Sequence, residues 1–192
     1  MTFEELLKYS YLLRTAHQDG RTPEFYKGWN YRFSFFNVRP FAGTRTIMFM
    51  AETRSITNPR KVSYKLIMQF KEVQFKKITN QEEADEYAKK KDWKYVQIQD
   101  LHFYYKLPSL KTDDVMVKCA CFDFRFSFEY YNKQYGALVG QPRLYHSKNK
   151  LPPRNFKRTP GVCKHLYHFA LFLCHPKNRW VDSKITRTIW GL

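Results

Sequence analysis

Apolar residues recur at helical spacing near both ends of the chain. Residues 3–14 place five of them near one face of a short helix: Phe3, Leu6, Leu7, Tyr11 and Leu13. Residues 163–174 form the clearest helical pattern, with spacings of three and four at Leu166, Phe169, Ala170 and Leu173. A third helix is predicted over residues 81–91, because Thr79 or Asn80 can cap its first turn and acidic residues precede lysines.

Stretches rich in β-branched and aromatic residues separate these helices and predict strands. They cover residues 31–36, 44–53, 62–75, 94–106 and 115–128. The breaker Asn58-Pro59 predicts a hairpin between the second and third stretches. Several glycines and prolines indicate a loop over residues 132–160. Together these elements predict an α+β fold in a single domain over residues 1–192, with a mainly antiparallel sheet and a few helices.

Basic residues outnumber acidic residues along the chain. The sequence contains 34 lysines and arginines against 17 aspartates and glutamates, for a formal net charge of +17. No acidic residue lies between Glu129 and Asp182, whereas ten lysines and arginines do. Because solvated surfaces usually mix the two signs, this interval indicates a face that meets negative charge, either phosphate or an acidic protein.

The sequence offers no candidate for a membrane span or a signal peptide. No apolar run approaches the roughly 20 residues that cross a bilayer, and the first residues carry acids where a signal peptide would be basic. We therefore expect no membrane association and a reducing compartment. In such a compartment the four cysteines are thiols or metal ligands rather than disulfides.

The chemistry of the chain is concentrated in Cys119-Ala120-Cys121 and Cys163-Lys164-His165. In a strand, residues i and i+2 point to the same side, so Cys119 and Cys121 would present two sulfurs together. Cys163 and His165 stand where the last helix starts and can turn toward the same point. Three thiolates and one imidazole complete the tetrahedral shell of structural zinc. The alternative interpretation is that the cysteines are buried thiols that bind nothing.

Two neighbouring features bear on this ligand set. His168 is an alternative fourth ligand, although the spacing of Cys163 and His165 matches that of the first pair and favours His165. Lys118 and Lys164 flank the ligands and would help to keep the thiols deprotonated.

The order Cys-x-Cys…Cys-x-His resembles that of the SWIM-type zinc finger, in which a β-hairpin leads into a helix. The segments Cys-Ala-Cys-Phe-Asp-Phe and Pro-Gly-Val-Cys-Lys-His-Leu carry the likeness, with 41 residues between Cys121 and Cys163. The long insert is similar to that of a variant found in virion structural proteins of large tailed bacteriophages. The resemblance implies a zinc-stabilised strand–insert–helix unit over residues 115–174, with a basic inserted loop over residues 130–161.

The resemblance also implies a function. It predicts a non-enzymatic structural component of a tailed-phage virion, in the tail, baseplate or head–tail junction, made in the host cytoplasm. Its partners would be other virion proteins in a multi-subunit assembly, with packaged nucleic acid as a further candidate. The sequence supports a non-enzymatic role, because it has no glycine-rich phosphate loop, no His-Glu-x-x-His and no nucleophile with a base and an orienting group.

The alternative function is a SWIM-type module that binds nucleic acid through a basic, tyrosine-rich face. Tyrosines lie among the basic residues of the acid-free interval. The tyrosines could stack on unpaired nucleotides while the basic residues contact phosphate. The candidate contacts, for phosphate or for an acidic partner, are Arg143, Lys148, Lys150, Arg154, Lys157 and Arg158.

Overall fold

A computed structural model describes residues 1–16, 32–54, 63–143, 155 and 157–182. Within these ranges the helices are α1 (Phe3–Ala16), α2 (Gln81–Ala88), α3 (Phe122–Ser127), α4 (Glu129–Gln134) and α5 (Lys164–Cys174). The strands are β1 (Phe33–Phe41), β2 (Thr46–Arg54), β3 (Ser63–Phe70), β4 (Phe75–Lys77), β5 (Trp93–Ile98), β6 (Leu101–Lys106) and β7 (Val115–Cys119).

The strands form two antiparallel sheets. The larger has the order β1-β2-β3-β7 and the smaller has the order β4-β6-β5. The described residues therefore confirm an α+β fold with a mainly antiparallel sheet. The hairpin predicted around Asn58-Pro59 agrees with the antiparallel pairing of β2 with β3, although the breaker itself lies outside the described residues.

One face of the four-stranded sheet builds the core. Strands β2, β3 and β7 alternate buried and half-buried residues, so every second side chain enters the same apolar layer. Cross-strand rows such as Ala51, Leu66 and Cys119 align these buried positions across three strands. The side chain of Cys119 therefore lies on the buried face of the sheet.

Helices α1 and α5 contribute their apolar faces to this core. The residues that predicted the two helices are buried, including Leu6 and Leu7 of α1 and Leu166 and Leu173 of α5, except Tyr11, which is half-buried against the core. A register shift in β1 between Phe33 and Phe35 lets Phe33 contact the rings of α5 together with Phe36. This bulge fixes the first strand against the helix that carries two of the candidate ligands.

Several predicted boundaries are wrong for local reasons. The stretch 94–106 is a hairpin, because Gln99 adopts a left-handed conformation with φ of 53° and turns the chain between β5 and β6. Strand β3 stops at Phe70, close to Glu72, whose φ is 58°. The helix over 81–91 is confirmed with Asn80 as its cap, but it ends at Ala88.

The largest correction concerns residues 115–128. Strand β7 ends at Cys119, and α3 begins three residues later instead of extending the strand. Cys121 caps α3, and Asp123 lies in its first turn, where an acidic residue suits the helix dipole. Helix α4 then follows, so the segment 132–160 also begins in a helix rather than in a loop.

Candidate metal centre

Each candidate ligand stands at the end of a secondary-structure element. Cys119 is the last residue of β7, and Cys121 is the N-cap residue of α3. Cys163 is the N-cap residue of α5, and His165 lies in the first turn of that helix. The sequence predicted that the i, i+2 geometry of a strand would align the first two sulfurs. The sharp turn from β7 into α3 aligns them instead.

The four side chains converge on one point inside the protein. The candidate ligand atoms of Cys119, Cys121, Cys163 and His165 all lie within 4.8 Å of one another, and all four residues are buried. The Nδ1 of His165 lies 4.0 Å from the Sγ of Cys119 and 3.9 Å from the Sγ of Cys163.

These distances suit a tetrahedral metal ion. Zinc holds sulfur at about 2.3 Å and nitrogen at about 2.1 Å, which separates neighbouring ligand atoms by about 3.6 Å. The histidine nitrogen is a few tenths of an ångström beyond that separation from two of the sulfurs, and atoms at the 4.8 Å limit of the cluster would have to approach by about 1 Å. The donor set of three thiolates and an imidazole is also one of the sets that structural zinc prefers.

Backbone amides already point at two of the sulfurs. The amide of Cys121 donates to the Sγ of Cys119 at 3.4 Å, and the amide of Phe124 donates to the Sγ of Cys121 at 3.3 Å. Hydrogen bonds of this kind stabilise negative charge on sulfur. The positive ends of two helices also meet at the cluster, since two of the cysteines are N-cap residues.

The three thiols of the cluster have shifted pKa values. Burial raises the pKa of the Cys119 and Cys163 thiols well above the ordinary value. The pKa of Cys121 is lowered instead, chiefly by the hydrogen bond from Cys119. A bound divalent cation favours the thiolate form, so it would oppose the effect of burial at Cys119 and Cys163.

Of the two candidate histidines, His165 belongs to the cluster. His165 contributes its Nδ1 and packs its ring on Tyr64, with the ring centroids 4.8 Å apart. His168 lies about one turn further along α5, outside the cluster. Burial lowers the pKa of His168 to about 4, and His165 and Lys164 add to this effect, so His168 is neutral at pH 7.

Polar side chains hold the segment that delivers Cys163. Buried Asn132 donates to the carbonyl of Gly161 at 2.9 Å and accepts from its amide at 2.7 Å. The hydroxyl of Ser10 on α1 accepts from the amide of Val162 at 2.6 Å. Asn155 donates to the carbonyl of Ser127 at 2.6 Å. These contacts seat the approach to α5 on α1, α3 and α4.

The basic residues predicted to contact a polyanion have different environments. Lys157 and Arg158 are exposed, while Lys148, Lys150 and Arg154 lie outside the described residues. Arg143 is engaged within the protein: its Nε donates to the carboxylate of Glu129 at 2.8 Å, and its two terminal nitrogens donate to the carbonyls of Cys119 and Ala120 at 3.1 Å each.

Of the two lysines that flank the ligands, Lys118 has a hydrogen bond to the loop after α4. The ammonium group of Lys118 donates to the carbonyl of Gln141 at 3.1 Å, so it supports the loop that follows α4. The residues that sequence reasoning missed are Glu129, Asn132 and Asn155. The only signal for them was that Glu129 is the last acidic residue before the acid-free interval.

Two further observations concern the chain as a whole. Among the described residues, no helix is both long and apolar enough to cross a membrane. A scan against protein-family models, a search of curated proteins and a search of solved structures each found no match to this chain.

Proposed function

We propose that the cluster is a structural zinc site that joins the end of β7 to the start of α5. The observation that carries this proposal is the convergence of three buried sulfurs and one buried imidazole nitrogen within 4.8 Å of one another. Four protein ligands fill a tetrahedral shell, which leaves no position for a reactive water, so the role is structural rather than catalytic.

Such a site would link residues that are far apart in sequence. Cys119 and His165 are separated by 46 positions, and closing a long loop costs conformational entropy that the metal bonds can offset. The ligands must also be deprotonated and brought together for binding, so the free energy of metal binding would become free energy of folding.

Hydrogen exchange with and without a chelator tests the zinc proposal. Removing the metal from the full chain should accelerate amide exchange in α3, α4 and α5, while peptides from β5 and β6 serve as the internal control. Restoring zinc should restore the protection. Equal exchange in both states, with the metal content measured in each, would contradict the proposal.

We also propose that the chain is a non-enzymatic structural subunit of a tailed-bacteriophage virion. The likeness of its Cys-x-Cys and Cys-x-His segments to those of phage virion proteins supports this role. Large aromatic side chains remain solvent-accessible near the proposed zinc site, with Phe122 62% exposed and Tyr130 59% exposed. Aromatic residues are favoured anchors of protein interfaces, which suits a subunit in an assembly.

Quantitative mass spectrometry of purified particles tests this role. The virion proposal expects the chain at a fixed ratio to the known particle proteins across independent preparations. Its absence from intact particles, when the cell lysate contains it, would overturn the proposal.

Nucleic-acid binding is the second candidate function. It is favoured by the net charge of +17 and by the exposed positions of Lys157 and Arg158. A nucleic-acid module should bind a single-stranded oligonucleotide with an affinity that falls steeply as salt rises, and Lys157→Gln/Arg158→Gln should reduce that slope by about 1.4. Weak binding that is unchanged in this variant would favour the purely structural role.

A further inference from the structure

A buried carboxylate holds the arginine that covers the metal-binding turn. Glu129 is only 1% exposed, and both of its oxygens accept from Arg143: Oε2 from the side-chain Nε at 2.8 Å and Oε1 from the backbone amide at 3.3 Å. These contacts hold one edge of the planar guanidinium group. The direction of its two terminal nitrogens is set as a result.

Those terminal nitrogens are directed at the backbone between the first two ligands. One donates to the carbonyl of Cys119 and the other to the carbonyl of Ala120, each at 3.1 Å. The ion pair therefore bridges the turn at which β7 ends and α3 begins. An ammonium group lacks the fork geometry for this double contact.

A single peptide group connects this contact to a ligand sulfur. The carbonyl of Ala120 and the amide N–H of Cys121 belong to the same peptide, and that N–H donates to the Sγ of Cys119 at 3.4 Å. A cation on the carbonyl polarises the peptide and strengthens the hydrogen bond that its N–H donates. The positive charge of Arg143 is thus relayed to the sulfur without touching it.

We propose that Arg143 and Glu129 are positioning residues for the metal centre, which orient the Cys119–Cys121 turn and tune the thiolate of Cys119 through the Ala120 peptide. This inference rests on the zinc site proposed above. It assigns Arg143 a role within the protein, beyond the contact with phosphate or an acidic partner that the sequence predicted.

Zinc and cobalt binding by four versions of the full chain test the proposal. Arg143→Lys keeps the charge but removes the fork, and Glu129→Gln/Arg143→Met removes both charges, so that neither is left buried alone. Arg39→Lys is the matched control, because Arg39 lies exposed on β1. Zinc affinity is measured by competition with a chelator, and the thiolate-to-cobalt charge-transfer band reports the electron density on sulfur.

The expected results separate positioning from general stability. Arg143→Lys and the double variant should lose about 10–100-fold in zinc affinity, as is typical when a partner of a metal ligand is removed. Their charge-transfer band should move to longer wavelength, because a weaker hydrogen bond leaves more electron density on the sulfur. Arg39→Lys should match the wild type in both respects.

Two outcomes distinguish failure of this inference from failure of the zinc proposal. Unchanged affinity and an unchanged band in the folded variants would overturn the positioning role alone. A wild-type chain that binds neither metal would overturn both proposals.

A measurement on the wild-type chain does not depend on how the variants fold. Zinc should slow amide exchange in a peptide ending at Arg143, whose amide donates to Glu129. Unchanged exchange there, with protection gained in α5, would also overturn the positioning role.

Discussion

Two regions of the molecule acquire their structure by different means. The metal-cluster region comprises residues 115–143 and 157–174, and its decisive contacts join residues that are far apart in sequence. The capped region comprises residues 75–106, and the contacts that cap and pack its helix are local, although Lys94 and Tyr105 also donate to backbone carbonyls of residues 178–180. The comparison separates a region held by contacts between distant residues from one in which local helix and sheet chemistry is sufficient.

Local hydrogen bonds account for helix α2 in the capped region. Asn80 caps the helix by accepting from the amide of Glu83 at 2.9 Å. Glu83 in turn accepts from the amide and the hydroxyl of Thr79, and it pairs with Lys76 at 2.6 Å. The rings of Trp93 and Tyr104 then pack on Tyr87. None of these contacts depends on the cysteines.

The metal-cluster region has short helices that local contacts cannot maintain. Helices α3 and α4 span six residues each, far below the length at which an isolated helix is stable in water. Their ends are held by buried polar contacts with the segment that precedes α5. We therefore expect perturbations of the cluster to disrupt this region and to leave the capped region largely folded.

The largest expected effect comes from removing one metal ligand. Cys163→Ser should abolish stoichiometric zinc binding and lower the free energy of unfolding by at least about 4 kcal/mol, because the metal bonds are coupled to folding. Urea unfolding followed by circular dichroism measures the change. Cys174→Ser is the matched control: its Sγ donates to the carbonyl of Ala170 at 2.9 Å, a bond that a serine hydroxyl can keep. Similar losses in both variants would contradict the special role of the cluster.

A smaller but still large effect is expected at Gly161. A Cβ there would lie 2.5 Å from the Oγ of Ser10 and 2.6 Å from the ring of Phe128, so Gly161→Ala should cost about 3 kcal/mol through overpacking. Thermal or urea unfolding measures this cost. Gly43→Ala is the control, since a Cβ at Gly43 would meet nothing within 4 Å. A neutral Gly161→Ala would mean that the approach to Cys163 is not packed as described.

Removing the cap of α2 should have a moderate effect that is confined to the capped region. Asn80→Ala should destabilise the protein by about 1 kcal/mol, because the amide of Glu83 loses its acceptor. Asn80→Asp should retain the stability of the wild type. Zinc affinity should be unchanged in both variants, and a loss of metal binding in Asn80→Ala would show that the two regions are coupled.

The smallest effect concerns the acid titration of Glu83. The hydrogen bond from Lys76, together with those from Thr79, lowers the pKa of this carboxyl to about 2. Since the native pKa lies below the ordinary value of 4.5, the contribution of Glu83 to stability is complete above pH 4.5 and is lost as the pH falls toward 2. A carbon-detected NMR titration should find the low pKa in the wild type and a higher one, still below 4.5, in Lys76→Met, which keeps the hydrogen bonds from Thr79. An ordinary pKa in the wild type would contradict the assigned contacts.

Periodicity sufficed to predict the elements whose side chains enter the core. The helices predicted over residues 3–14 and 163–174 are confirmed as α1 and α5. A helix that buries one face needs apolar residues at spacings of three and four, and the sequence shows that spacing directly. The grouping of Cys119, Cys121, Cys163 and His165 is also confirmed. The sequence could indicate it because the Cys-x-Cys and Cys-x-His pairs have the same spacing.

Contacts between distant polar residues could not be predicted in the same way. The sequence predicted Arg143 as a contact for phosphate or an acidic partner, and it gave no sign of the ion pair with Glu129, 14 positions earlier, in which the Arg143 side chain stays 32% exposed. The strand predicted over 115–128 failed because β-favouring aromatic residues such as Phe122 and Phe126 also fit a short helix once Cys121 caps it.

Native mass spectrometry of the full chain, purified without added metal or chelator, tests the central claim most directly. The account predicts a folded charge-state distribution whose mass exceeds that of the polypeptide by one zinc ion, less the protons displaced from the thiols. A folded chain at the mass of the metal-free polypeptide, unaltered by added zinc, would contradict it.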